Sequence, residues 1–370
     1  MLRILQVLPR LRRGGSQTMV MNLYRAIDRS AVQFDFIIFT SDHDDYYEEI
    51  YKLGGKVFHF AKYNGFNRRL IKKEWDSFFN DHPEYKVIHS HVRSFASIYL
   101  PIAKKHGLVS IIHSHSTSNG KGFKGFLKSV LEYPLRFQAD YLFACSSEAG
   151  EWLYGRKATH KNNYFIFPNA IDLRHFTYSE ITRNEIRSRL SLDNKFVVGH
   201  VGGFETPKNH SFLLSIFAEI LKINSNSYLL LVGDGTLEQE IKKKCFQLNI
   251  SDKVVFAGLQ EDVAQFLFAM DVFVFPSLWE GLPVSVVEAQ ASGLPCFISS
   301  TITRDVYLTN LIASKALSES PSIWAEDICK EITCKRDRCD FKKTDEYYLF
   351  DVSAASQRLL NFYLSINKNK

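Results

Sequence analysis

Two glutamates, Glu280 and Glu288, lie eight residues apart in PSLWEGLPVSVVEAQASGLPC, Pro276 to Cys296. An apolar run, Asp271 to Pro276, comes before them and reads as a buried strand. Gly281, Leu282 and Pro283 then turn the chain, and Val284 to Ser292 has the apolar spacing of a helix, with Pro283 suited to its first position. Glu280 therefore sits just ahead of that helix and Glu288 on its second turn. Both can face the crevice beyond a strand's carboxyl end, where open α/β sheets bind ligands. Carboxylates so placed accept hydrogen bonds from vicinal hydroxyls, while the N–H groups of the helix's first turn suit an anion. A nucleotide sugar fits this combination, having hydroxyls at both ends and a diphosphate between them.

Such groups need a rigid frame, and the rest of the chain reads as one. Strand-like runs recur at Ile4 to Leu8, Phe34 to Phe39, Lys56 to Phe60, Val87 to His89, Val109 to Ile112, Tyr141 to Ala144 and Tyr164 to Phe167. Helical segments such as Gln17 to Ile27 and Phe95 to His106 separate them. The stretch Pro168 to Phe176 breaks the rhythm, and a charged helix runs on to Leu190. A second set follows at Phe196 to Val201, Tyr228 to Val232, Val254 to Phe256, Val272 to Phe275 and Cys296 to Ser299. The alternation predicts an α/β protein of two Rossmann-like, doubly wound parallel-sheet domains, 1–170 and 171–350, facing a cleft. At 370 residues the chain is long enough to bury two cores.

Other candidates for chemistry sit at strand ends. Gly14 and Gly15 precede the first helix, where small residues let backbone approach an anion; Ser16 as an ordinary cap is the plainer reading. The pairs His89-Ser90-His91 and His113-Ser114-His115 have no adjacent carboxylate to complete a metal site. In GHVGGFETPKNH, Lys208 stands at a helix start, positioned to meet a diphosphate. Gly233-Asp234-Gly235 and Gly258-Leu259-Gln260 follow further strands, but neither makes the G-x-G-x-x-G of a dinucleotide-binding dehydrogenase. Asp42-His43-Asp44 reads as a solvated acidic loop, and the six cysteines, without CxxC spacing, as reduced thiols.

Charge is uneven. The net +6 divides into 24 basic against 15 acidic residues in 1–170, and 22 against 25 in 171–370. Gly120 to Phe137 interleaves Lys121, Lys124, Lys128 and Arg136 with Phe123, Phe126, Leu127 and Phe137, and Arg10, Arg12, Arg13, Arg68 and Arg69 add to the same half. The expected anionic partner is a membrane surface rather than nucleic acid. No apolar run reaches the roughly 18 residues of a membrane span, and the chain opens on a strand instead of a signal peptide. A cytoplasmic protein, peripheral on the inner membrane face, is expected.

With its Gly, Pro, Ala and Ser-Gly-Leu-Pro positions, EGLPVSVVEAQASGLPC resembles the signature of glycosyltransferase family 4, the retaining nucleotide-sugar transferases of GT-B fold. The resemblance runs from MLRILQVLPRLRRGGSQ to the tail and is nearest to bacterial capsular and exopolysaccharide transferases. It implies a final helix, about Ser353 to Tyr363, that crosses back onto the first domain, so that 351–370 belongs there. It further implies an acceptor-binding first domain and a donor-binding second one. The donor, a UDP-sugar, would be held by Gly14, Gly15, Gly203, Lys208, Gly233, Gly258, Glu280, Gly281, Leu282, Pro283 and Glu288. Glu288 would take ribose hydroxyls, Glu280 those of the sugar, and Lys208 the departing diphosphate. His115, with His113 as the alternative, matches the family's cleft histidine. No metal or other cofactor is expected.

The chain departs from the family at Gly203, which stands where an arginine is usual and removes one charge-assisted phosphate partner, worth roughly 1.5 to 3 kcal/mol. The expected activity is transfer of a hexose or hexosamine to a lipid-linked glycan. Its rivals are a nucleotide-sugar epimerase on the same fold and a degenerate member that binds sugar nucleotide without turnover.

Overall fold

The structure is a computed structural model, and it describes residues 1–12, 14–40, 45–117, 122–334 and 337–368. Asp42, His43 and Asp44, together with Arg13, Gly120 and Lys121, lie outside the described residues, as do the side chains of Phe123 and Lys124. The chain divides into two compact units, one made of Met1–Ile171 and Tyr348–Lys370, the other of Asp172–Tyr347.

Unit 1 is built on β1 (Leu2–Val7), β2 (Val32–Ile38), β3 (Val57–His59), β4 (Val87–Ser90), β5 (Val109–Ser114), β6 (Tyr141–Ala144) and β7 (Tyr164–Ile166). They pair in the order β3-β2-β1-β4-β5-β6-β7, all parallel. Side chains alternate across a strand, so neighbouring residues of β1 feed different layers. Ile4 packs with Met21, Phe34 and Leu359 on one face, and Leu5 with Ile37, Trp75 and Tyr99 on the other. Burial on both faces explains why the strands are apolar without polar alternation. The first layer is completed from the far end of the chain. Ala355, Leu359, Tyr363 and Ile366 recur at near-helical spacing along the Val352–Lys368 helix and bury against the Gly15–Ala26 side of the sheet. This is the crossing helix expected from the sequence, longer than expected because Ile366 extends its apolar stripe.

Unit 2 repeats the plan with β8 (Phe196–Val201), β9 (Ser227–Val232), β10 (Val254–Gly258), β11 (Val272–Phe275), β12 (Cys296–Ser299) and β13 (Ile312–Lys315) in the parallel order β10-β9-β8-β11-β12-β13. β13 has no counterpart among the expected strands. It is an edge strand, Ile-Ala-Ser-Lys, only partly buried, and so lacks the apolar run that marks the others. The Arg338 guanidinium, partly buried, donates to the carbonyls of Leu267, Phe268, Met270 and Ser292. It thereby caps the carboxyl ends of the Val263–Ala269 and Val284–Ala291 helices, a placement the helix dipole favours. Burial pulls its pKa down to about 9, yet four carbonyl partners keep it satisfied. Both Rossmann-like units agree with the fold expected from the sequence.

Leu359 is 2% exposed on the returning helix. Leu359→Ala is expected to lower the unfolding free energy by about 2–5 kcal/mol, read from urea denaturation curves. A loss below 1 kcal/mol would mean the helix is not part of unit 1's core.

Candidate functional site

At the carboxyl edge of unit 2's sheet, two loops are tied together. The backbone after β8 runs through Gly202 and Gly203 into a short turn, Thr206–Lys208, and then the His210–Ile223 helix. Asn209 joins turn to helix in the left-handed region, φ 54°, which asparagine tolerates. The loop after β11 lies alongside: Leu278 N–H donates to the Pro207 carbonyl at 2.8 Å, and Asn209 Nδ2 to the Pro276 carbonyl at 3.1 Å. Thr301, beyond β12, donates to the Ser277 carbonyl at 2.9 Å. These contacts fix Lys208 against Glu280. The Lys208 ammonium donates to Glu280 Oε1 at 2.7 Å and lies 4.7 Å from the centre of the Phe275 ring. Both side chains are mostly buried, at 19% and 15% exposed, so the pair is shielded yet open to a ligand.

Glycines make this approach possible. A Cβ on Gly202 would come within 3.1 Å of Lys208 Cε and 3.2 Å of His200 Nε2. Gly233 holds φ 139°, and a Cβ there would lie 2.3 Å from the Gly202 carbonyl, so the loops after β8 and β9 meet backbone to backbone. Gly258 ends β10 at φ 69°, with its carbonyl accepting from Gly233 N–H. At Gly203 a Cβ would meet nothing closer than 3.6 Å, which leaves steric room for a larger residue.

The Val284–Ala291 helix starts as the sequence suggested, with Pro283 one position earlier, as its N-cap. Leu282 is buried, whereas Glu288 keeps part of its surface open. Burial raises the Glu288 carboxyl to about 7. Lys208, Glu280, Glu288 and the Gly281–Leu282–Pro283 turn thus come to one sheet edge, together with Gly203, Gly233 and Gly258. His200 and His210 meet edge to face near Lys208, their ring centres 4.8 Å apart, and burial, followed by their neighbours' charge, lowers both pKa values, His210 to about 4. Neither was singled out in the sequence, where each is a lone histidine.

The other candidates belong to unit 1. Gly14 caps the Gly15–Ala26 helix in extended backbone. Gln6, His89, His91 and His113 share one face of the sheet, the register setting Gln6 beside His89. The imidazoles stack: His89 on His91 at 4.5 Å, His113 on His115 at 4.1 Å, His91 on His115 at 5.1 Å. Nitrogens of His89, His91 and His113 come within 4.8 Å of one another. Their rings are 13° to 35° from parallel, so the in-plane lone pairs run side by side instead of converging. Burial, reinforced by the neighbouring imidazoles, pushes all three pKa values well below the usual 6.5. His115 sits one residue past β5 and is the one with surface open; burial, then Arg93, lower its pKa to about 3 while Asn169 opposes them. Every ring in the stack is therefore neutral at physiological pH. His113 is fully buried; among the described residues no hydrogen bond to its ring nitrogens meets normal geometry, and the Phe167 backbone beside it opposes the burial that lowers its pKa.

Residues 13–175 match the family profile described as Glycosyltransferase Family 4, and 182–333 that described as Glycosyl transferases group 1. The chain is 36% identical over 368 residues to the glycosyltransferase EpsF of Bacillus subtilis, covering 98% of this chain and 96% of that one. It is 23% identical to the capsular polysaccharide biosynthesis glycosyltransferase CapH of Staphylococcus aureus, across 99% of both. An Escherichia coli UDP-Gal:alpha-D-GlcNAc-diphosphoundecaprenol alpha-1,3-galactosyltransferase is 26% identical, over 63% of this chain and 60% of its own. Among solved structures, Anabaena Alr3699/HepE in complex with UDP and glucose superimposes with a TM-score of 0.78 at 17% identity, covering both chains in full. That likeness places the fold.

Because the Glu288 carboxyl lies near 7 in the folded chain and near 4.5 when solvated, its ionisation opposes folding. The cost is absent below pH 4.5 and grows as pH rises to 7, reaching at most ~3 kcal/mol. The stability gap between Glu288→Gln and wild type should therefore move in the variant's favour across that range, measured by urea denaturation at stepped pH. A gap independent of pH would show the carboxyl to be solvated.

Proposed function

The chain belongs to the family 4 glycosyltransferases, and from that premise we propose a specific reaction. It transfers a hexose or hexosamine from a UDP-sugar to a lipid-linked glycan in surface polysaccharide synthesis, with retention at the anomeric carbon and without a metal ion. The observation that carries this reading is the Lys208 and Glu280 pair, 2.7 Å apart and beside the amino end of the Val284–Ala291 helix. An ammonium and a set of first-turn N–H groups suit a diphosphate; a carboxylate next to them suits the sugar's hydroxyls. Glu288, one helical turn in, receives the ribose hydroxyls, and two donors to its carboxylate favour the ionised form that burial alone disfavours. The names of relatives point the same way: one acts on UDP-Gal and a diphosphoundecaprenol-linked sugar, and a structural neighbour holds UDP and glucose.

In this reading the acceptor hydroxyl attacks the anomeric carbon from the face the diphosphate leaves. The bond from carbon to phosphate oxygen breaks as the bond to the acceptor oxygen forms, and the acceptor's proton passes to the departing phosphate. Lys208 and the helix amides stabilise the charge that grows on it. His115, neutral, holds a substrate hydroxyl. A binding-only role is the second reading, favoured by Gly203 standing where the family has arginine.

Glu280→Gln is expected to lower kcat by on the order of 10²-fold while changing UDP affinity less than threefold, measured by donor turnover and calorimetry. Equal losses in both would remove Glu280 from the sugar, and wild-type UDP binding without any transfer would favour the binding-only role.

The acceptor's lipid places unit 1 at a membrane surface. Phe126, Leu127 and Val130 on the Phe123–Glu132 helix, Tyr133 just after it and Phe137 on the Leu135–Gln138 helix are all exposed. Next to them, a groove of about 540 Å³ is lined by Arg68, Lys72, Lys73 and Lys105 over Ile98 and Pro101, with Asp76 the acidic residue among them, 3.7 Å from the Lys105 ammonium. Apolar side chains flanked by cations are what an anionic interface binds. No helix among the described residues is long and apolar enough to cross the bilayer. Flotation should show the protein on vesicles of phosphatidylcholine with phosphatidylglycerol but not of phosphatidylcholine alone, and Phe126→Asp with Phe137→Asp should reduce the bound fraction at least fivefold. Equal recovery on both vesicle types would overturn a charge-guided surface.

A further inference from the structure

Four buried polar side chains form a continuous hydrogen-bonded path that ends at His115. Tyr363, on the returning helix, receives Gln6 Nε2–H at 3.2 Å, and its hydroxyl lies 2.7 Å from His89 Nδ1. Gln6 Oε1 lies 3.0 Å from His91 Nε2, and His91 Nδ1 lies 2.8 Å from His115 Nε2. Gln6, His91 and Tyr363 are 1%, 9% and 0% exposed, so water does not supply alternative partners.

We propose that Gln6, oriented by Tyr363, is a positioning residue that selects which nitrogen of His115 carries the proton, leaving Nδ1 as an acceptor for a substrate hydroxyl. A neutral imidazole has one N–H and one lone pair, so a hydrogen bond at one nitrogen dictates the role of the other. Gln6 turns its NH2 toward the Tyr363 hydroxyl and its carbonyl toward His91. His91 must then donate from Nε2, which makes its Nδ1 an acceptor. His115 must donate to it from Nε2, which leaves a lone pair on Nδ1. Among the described residues no hydrogen bond to that buried atom meets normal geometry; the Asn169 side chain lies beside it and raises the His115 pKa, opposing burial. An orphaned acceptor at the carboxyl end of β5 is what a hydroxyl donor on a sugar would complete. The reversed chain, with the Gln6 amide turned over, would present N–H at the same point and repel that hydroxyl's proton. The choice is therefore made some way from the ligand, on a strand and a helix that touch no substrate.

The inference rests on the reading of His115 as a substrate contact, and the test separates the two. Nitrogen-15 spectra of the histidine rings in the wild-type chain should show His115 and His91 as Nε2–H tautomers. Gln6→Met, which removes the amide at nearly constant volume, should shift His115 toward a tautomer mixture and lower kcat on the order of 10-fold with UDP affinity unchanged. Tyr363→Phe should move the same signals in the same direction by less, and serves if Gln6→Met does not fold. An Nδ1–H wild-type His115, or His115 signals unmoved in both variants, overturns the proposal. Unchanged transfer in His115→Ala, with the tautomer shift still present in Gln6→Met, would instead leave the relay standing and remove His115 from the substrate.

Discussion

Parallel pairing is the constraint from which the rest follows. When every strand of a sheet runs the same way, every carboxyl end arrives at one edge, and each connection back must cross a face. In unit 2 this brings the loops after β8, β9, β10 and β11 together, although successive ones start 17 to 31 residues apart in sequence. The pairing of β8 with β9 and β11 sets Gly202 against Gly233 on one side and Lys208 against Glu280 on the other. Neither contact is local. Both exist because register along the strands fixes where the loops begin, and because Leu278 and Asn209 then stitch loop to loop.

Desolvation is the second constraint on the site groups. A buried charge is expensive unless paired, so the chain keeps its candidate site groups neutral or paired. Glu280 has Lys208; Glu288, more enclosed, has its pKa raised by burial; the imidazoles of unit 1 have theirs lowered. Each group is thereby held in a state a polar ligand can change, since hydroxyls or phosphate would supply what the interior does not.

The sequence showed the frame and the main charged groups because those depend on short-range pattern. Apolar runs locate twelve of the strands, since parallel strands buried on both faces leave that mark, and β13 escaped because an edge strand does not need one. Glu280, Lys208 and Glu288 could be assigned to loop and helix from glycine, proline and spacing alone. What the sequence hid was partnership. Gln6 reads as a polar interruption in an apolar strand and Tyr363 as one more aromatic on a helix. Their connection, 357 positions apart, exists only once the last helix lies on the first sheet. His200 and His210 are hidden for the same reason, each being an isolated histidine until the turn at Asn209 brings them edge to face.

The return of the last helix to unit 1 also bears on how the chain is made. Unit 2 is a single uninterrupted segment, Asp172–Tyr347, and so has all its strands available before the returning helix is made. Unit 1 begins first but cannot close, because Leu359, Tyr363 and Ile366 of its apolar layer are made only after the whole of unit 2. Until then Ile4, Met21 and Phe34 face an open groove. The order of birth is thus reversed in the order of completion, and the nascent first half is the part that needs shielding from other chains while it waits.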